Sequence, residues 1–246
     1  MQQLILHTPH SSATIPFKDG FIINDDELEA ELDKQTEWNT DTLFFSQKDI
    51  IITAEFSKIF CDVEKILIEG NQVSIYQTDE ILQETNNDVH RLRELPYTIK
   101  EKILNEYYKP HHLKIIEAIE KQLGLFSTAI IIDCHSFSDV TLNGDFENTE
   151  HGPDICIGTD PFHTSQELID ISYNFFTNNN LNVCINTSSS VTFVPLAYYQ
   201  NDKRVQSIKI SVNKKIFGGD NSSIDLDFFL EIQSIIDDYL DLVRNT

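Results

Sequence analysis

One run of seven residues, Ala129-Ile130-Ile131-Ile132-Asp133-Cys134-His135, constrains this chain more than any other segment. A continuous apolar run of this kind, entered from a helix that Gly124 closes, predicts a central strand of a parallel sheet, buried on both faces. Further strands are expected at residues 4–6, 50–54, 59–63, 154–158, 183–186 and 207–212. Helical spacing covers residues 25–45, a long segment from about residue 99, residues 166–178 and residues 226–243. Pro110 should kink the long segment or begin a second helix, because proline donates no backbone hydrogen bond. Residues 70–90 and 143–153 read as polar loops. Strands and helices alternate throughout. The expected fold is therefore α/β: one three-layer domain over residues 1–246, with a mostly parallel central sheet flanked by helices.

Charge narrows the function classes. The chain carries 18 Lys+Arg against 40 Asp+Glu, a formal net charge of −22. Such a surface repels a phosphate backbone and an anionic membrane, so neither nucleic acid nor a membrane is an expected partner. No apolar stretch is long enough to span a bilayer. The N-terminus lacks a basic region followed by an apolar one, so it does not read as a signal peptide. Cys61, Cys134, Cys156 and Cys184 are widely spaced, as expected of buried reduced thiols in a cytoplasmic protein.

The chemistry should lie beyond the carboxyl ends of the strands, where sites collect in open α/β sheets. His10 follows the first strand and His135 ends the central one. Asp133 and His135 are two apart, so they leave the same face of that strand. A carboxylate beside a histidine fixes its tautomer for metal binding or base catalysis. Two histidines and one carboxylate would make a zinc site with a position left open. Spacing alone leaves the carboxylate undecided. Asp62 and Glu64 share a face at the end of a strand candidate, and Asp41 lies in the first helix with Glu37 one turn earlier. HExxH, the local metalloprotease signal, does not occur. Ser11, Ser12 and Ser136 lie beside these histidines, but no GxSxG elbow presents any of them as a nucleophile. Elsewhere, His7 reads as strand-end packing, His111 and His112 as a helix edge, and His90, His151 and His163 as solvated loop residues.

Eight fragments, met in order, carry a resemblance: PHSSATIP at residues 9–16, NTDTLF at 39–44, FSKIFCDVEK at 56–65, YYKPHH at 107–112, IIIDCHSF at 130–137, PDICIG at 153–158, VPLAYY at 194–199 and SIKISVNKKIF at 207–217. Together they resemble the N-formylglutamate amidohydrolase family. The resemblance implies a zinc-carboxypeptidase-like fold of the aspartoacylase kind and one divalent ion, zinc. It also implies hydrolysis of the amide of a small N-acyl amino acid by metal-bound water, as in N-formyl-L-glutamate to formate and glutamate. It assigns His10 and His135 to the metal, with Asp41 as the expected third ligand and Asp62 as its rival. Lys65 stands where the related motif has a carboxylate-binding arginine; lysine keeps the charge and loses the bidentate fork. Arg91 or Arg93 could supply that fork, and His112 could line the pocket. Asp133 would orient His135. Ser211 stands where the family carries a glutamate resembling the general base, and serine is no base near neutral pH without an activator. Glu64 is the candidate replacement. Without one, the chain would be a degenerate relative that binds metal or an acyl-amino acid without turnover. The expected partner is a small acyl-amino acid, with oligomeric state open.

Overall fold

The structure, a computed structural model, describes residues 1–66, 81–86, 90–138, 152–186, 191–218 and 225–246. Most of the two expected loops, and His151, lie outside the described residues. The strands are β1 (Ile5–Thr8), β2 (Ile50–Thr53), β3 (Ala129–Phe137), β4 (Ile155–Gly158), β5 (Val183–Ile185) and β6 (Val205–Asn213). They form one sheet in the order β2-β1-β3-β6-β4-β5. Every pairing is parallel except β4 against β6. The seven-residue run is indeed the centre of this sheet, and β3 is buried from Ala129 to Ser136.

The helices are α1 (Asp25–Gln35), α2 (Thr40–Leu43), α3 (Tyr97–Ile103), α4 (Lys109–Leu125), α5 (Gln166–Asn178) and α6 (Leu226–Arg244). Alternate strand residues Leu4, Leu6, Ile130, Ile132, Cys134, Ile208, Ile210 and Val212 face α5 and α6, where Phe176, Phe229, Ile236 and Leu240 complete an apolar core. The opposite face packs Ile5, Ile131 and Val205 against Ile115 and Ile119 of α4. Toward the strand ends that second face turns polar, with His7, Asp133, His135, Lys209 and Ser211 all buried. One period-2 pattern thus separates a face that stabilises the sheet from a face that carries chemistry.

Three local departures from expectation position the site. Residues 25–45 are two helices, because the chain leaves α1 in extended conformation at Thr36 and turns at Asn39, whose φ of 65° is left-handed. Asparagine tolerates that region better than most residues. Glu37 sits in the break. Residues 59–63 are a buried loop instead of a strand. The N–H groups of Phe60 and Cys61 both donate to the Ser57 carbonyl, and the apolar side chains join Ile103, Leu104 and Tyr108 in a separate core. The long helix is divided near Pro110, as expected: α3 passes through a π-helical turn at Leu104–Tyr108 into α4, whose first turn holds the proline. No helix among the described residues is long and apolar enough to cross a membrane.

Candidate active site

β1 and β3 are neighbours in register, with His7 opposite Asp133. Their extensions therefore bring His10 and His135 together, with ring centroids 5.1 Å apart. Glu37 reaches in from the break between α1 and α2. Its backbone N–H donates to the His10 carbonyl, and its Oε2 accepts the backbone N–H of Ser136 at 2.9 Å. Its Oε1 lies 3.1 Å from Nδ1 of His10 and 3.1 Å from Nδ1 of His135. The far nitrogens are held too. His10 Nε2 lies 2.9 Å from Asp62 Oδ1, and His135 Nε2 lies 3.2 Å from Asp133 Oδ1.

Both nitrogens of each ring face a carboxylate, which can only accept, so a neutral ring leaves one contact unmet. The arrangement calls for positive charge at its centre: a second proton on each ring, or a cation in place of the Nδ1 protons. The charge balance says the same: the four carboxylates Glu37, Asp62, Glu64 and Asp133 outnumber the lysines near them, Lys209 against Glu64 and Asp133, and Lys58 and Lys65 toward Asp62. Burial disfavours the charged form of His135, but Glu37, Asp133 and Glu64 outweigh it and raise its pKa to about 10. His10 is raised as well, with Asp62 overcoming its burial. Burial would push Glu37 up, yet the two histidines hold it well below the usual carboxylate range. A divalent cation would meet the same demand. His10, Glu37 and His135 offer one donor atom each, all within 4.8 Å of one another. The donor set fits a His₂-carboxylate ion, and each histidine is backed by a carboxylate that orients it. Two other groupings share those donor distances, His10-Asp62-Glu64 and Glu64-Asp133-His135. They are poorer cages, because Glu64 is paired with Lys209 and both oxygens of Asp133 are engaged.

Behind His135 runs a buried polar chain. Asp133 Oδ1 also accepts from His7 Nδ1 at 3.1 Å, and Oδ2 accepts the backbone N–H of Phe193. His7 Nε2 in turn lies 3.1 Å from His111 Nε2, so one hydrogen bond joins the two rings. Burial, with His7 and His112 beside it, pushes His111 down to about 2, consistent with a neutral ring. His7 is therefore part of the site's support as well as strand-end packing.

Beside the cluster opens a cavity of about 320 Å³, lined by Glu64, Lys65, Thr192, Phe193, Tyr199 and Lys209 among others. Glu64 lies 3.7 Å from His10 and 3.6 Å from His135. Burial opposes its ionisation, but Lys209 and His135 keep its pKa lowered. Lys209 is buried, in contact with Glu64 and 3.6 Å from Asp133; these carboxylates outweigh burial and raise its pKa, so it stays protonated. A larger groove of about 620 Å³ lies between α5 and α6, lined by surface acids, amides and apolar side chains with no histidine.

The structure brings together His10, Glu64, Asp133, His135 and Lys65, as the sequence suggested. It does not bring Asp41, which is exposed on α2 and outside the cluster; Glu37 stands there instead. Arg91 is exposed and paired with Glu94 at 2.8 Å. Arg93 is fully buried, donates to the Phe60 carbonyl at 2.7 Å and lies over the rings of Phe21 and Phe60. Neither arginine lines the cavity, so no arginine fork is built there among the described residues. His112 packs against Tyr108 in a tilted ring pair with centroids 4.1 Å apart and donates to the Val63 carbonyl at 2.9 Å, which fastens the Asp62–Lys65 loop. Burial first, then His7, lowers its pKa to about 4. His163 is a further correction. Far from solvated, it is 1% exposed, donates from Nδ1 to the Val205 carbonyl and accepts the Gln200 N–H at Nε2. Glu37 and Lys209 are the site residues that sequence reasoning missed. Lys209 had a visible signal, since it alternates with Ser207 and Ser211 on the polar face of β6.

A mostly parallel sheet with a buried histidine–carboxylate cluster beyond its strand ends defines an α/β protein with an enzyme-like site. The chain belongs to the N-formylglutamate amidohydrolase family, whose model matches residues 2–217. Among solved structures, it is similar to an N-formylglutamate amidohydrolase from Ralstonia eutropha JMP134, with a TM-score of 0.81 at 17% identity, covering 99% of this chain and 93% of that one. It is also similar to a gene product of Agrobacterium tumefaciens, with a TM-score of 0.65 at 14% identity, covering 98% and 91%. At these identities the likeness speaks for the fold. No curated protein matches the sequence.

Proposed function

We propose that this member of an amide-hydrolase family is a metal-dependent amidohydrolase acting on a small N-acyl amino acid such as N-formyl-L-glutamate, which it would cleave to formate and glutamate. One observation carries the reading: the Nδ1 atoms of His10 and His135 converge on Glu37 while Asp62 and Asp133 hold the outer nitrogens. These three side chains would hold one divalent ion, zinc by the donor set. Such an ion, when bound, polarises a carbonyl and makes water a stronger acid.

The chain's own residues supply the rest. Lys65 faces the cavity as an exposed ammonium and binds the substrate carboxylate. Glu64 is kept ionised by Lys209, beside both histidines, so it takes the proton of the attacking water and returns it to the departing amine. Asp133 keeps the Nε2 proton on His135 and so keeps its Nδ1 lone pair directed at the centre.

A second reading is favoured by Ser211. It stands in register beside His135, on the strand that carries Lys209, and offers a hydroxyl where the family has a carboxylate. In that reading the protein binds metal and an acyl-amino acid without hydrolysing it. Elemental analysis of tag-free protein and an assay of released formate separate the two. The amidohydrolase predicts roughly one equivalent of zinc, lost in His135→Ala. It also predicts turnover that falls about a hundredfold or more in Glu64→Gln. Metal and ligand binding with no turnover across a panel of N-acyl amino acids would establish the second reading. No metal after zinc is supplied would sink both.

A further inference from the structure

Two thiols stand side by side at the edge of the sheet. Cys156 of β4 and Cys184 of β5 are direct partners in a parallel ladder, between Ile155 opposite Val183 and Ile157 opposite Ile185. Paired strands lie about 4.8 Å apart, inside the Cα separation of roughly 4.4–6.8 Å that a disulfide spans. Both side chains leave the same face. Ile155, Ile157 and Val183 point into the core under α5 and α6, so the alternate residues Cys156 and Cys184 point the other way. Their exposure differs in a useful way: Cys156 is 3% exposed, whereas Cys184 is half-buried and reachable.

We propose that Cys156 and Cys184 are a redox-active dithiol that closes reversibly to a disulfide on reaction with a hydroperoxide. Cys184 is the attacking sulfur. It is the more exposed of the two, and the neighbouring Cys156 thiol lowers its pKa, while Cys184 and burial raise that of Cys156. The Cys184 thiolate attacks one peroxide oxygen and the O–O bond breaks. The departing hydroxide takes up a proton and leaves as water, and Cys184 is now a sulfenic acid. Cys156 sulfur then attacks Cys184 sulfur. The S–O bond breaks, and its hydroxyl leaves with the Cys156 proton as a second water. Two thiols are oxidised by two electrons and one hydrogen peroxide is reduced to two waters. A small dithiol reverses the closure by exchange. Cys61 and Cys134 are fully buried and form no such pair. The site shares the polar face of the sheet, in the row His135, Ser211, Cys156, Cys184, but the inference does not depend on any hydrolase activity.

The test uses the folded, full-length protein under native conditions. It is treated with a small excess of hydrogen peroxide while folded, then unfolded in denaturant so that the buried thiols also react, alkylated, and analysed by intact mass and peptide mapping. The expected product is lighter by two hydrogens before alkylation, has two alkylatable cysteines instead of four, and carries a 156–184 cross-link that dithiothreitol removes. Cys156→Ser should instead stop at an oxidised Cys184 with no cross-link, and Cys61→Ser should behave as wild type. Four free thiols persisting, a cross-link between other cysteines, or wild-type Cys184 passing to the sulfinic acid without closure would each overturn the proposal. The wild-type peptide map decides the matter even where a variant fails to fold.

Discussion

At the residue scale, the site turns on which carboxylate joins the two histidines. Asp41 and Glu37 are one helical turn apart in sequence, and Asp41 belongs to the segment that resembles the family. Only the break between α1 and α2 decides between them, because it turns Glu37 inward and leaves Asp41 at the surface. The contrast is testable. Glu37→Gln should cost about a hundredfold or more in zinc affinity, above the 10- to 100-fold typical of outer supports. Asp41→Asn should leave affinity unchanged. A chelator competition read by isothermal titration measures both, and equal losses would return Asp41 to the centre. Lys209 teaches the same lesson. A lysine among alternating serines could be read as a solvated cation, yet it is 6% exposed and paired with Glu64. Its partner comes from a loop 145 residues away, which no local pattern reports.

At the element scale, the strands and helices were legible wherever apolar periodicity was strong. α5 spans Gln166–Asn178 as its spacing predicted, and β3 is the buried centre its composition required. The failure at residues 59–63 has a clear cause. A short apolar run reads alike whether it is a strand or a buried loop, and here the backbone groups are satisfied by a turn at Ser57. Element docking adds a feature that periodicity does not show. Arg244, at the end of α6, donates to Asp49 from Nε at 3.0 Å and from Nη2 at 2.5 Å. Asp49 in turn accepts the backbone N–H of Leu4 and the hydroxyl of Ser46. This buried fork ties the last helix to the entry of β1 and β2. Arg244→Met would leave Asp49 charged and short of a partner, so it should lower unfolding free energy by about 3–5 kcal/mol. Urea denaturation would measure it, and a loss under about 1 kcal/mol would class the pair with surface bridges.

At the scale of the whole molecule, buried neutral histidines set the acid limit of stability. His111 and His112 are depressed to about 2 and about 4, against about 6.5 in an unfolded chain. Below pH 6.5 the unfolded chain therefore binds more protons, and stability falls as pH falls. The raised values of His10 and His135 act above pH 6.5, so they do not tilt this window. Between pH 6.5 and 5.0, His111 alone should remove about 2 kcal/mol. His111→Gln keeps a hydrogen-bond partner for His7 and should lose that much less over the same interval in denaturant titrations. The same loss in both proteins would show that His111 is protonated without unfolding. The sequence by itself determined the α/β class, the central strand, the two faces of the sheet and the pair His10 and His135. Those follow from side-chain period and from the chain direction of parallel strands, both local or nearly local properties. Only the tertiary structure decided that Glu37 completes the cluster, that Lys209 neutralises Glu64, that Arg93 anchors a loop, and that two cysteines 28 residues apart stand in register. Each depends on sheet register and on where a loop folds back, and those are set by the packing of the whole core. Spacing along the chain does not encode a convergence measured in ångströms.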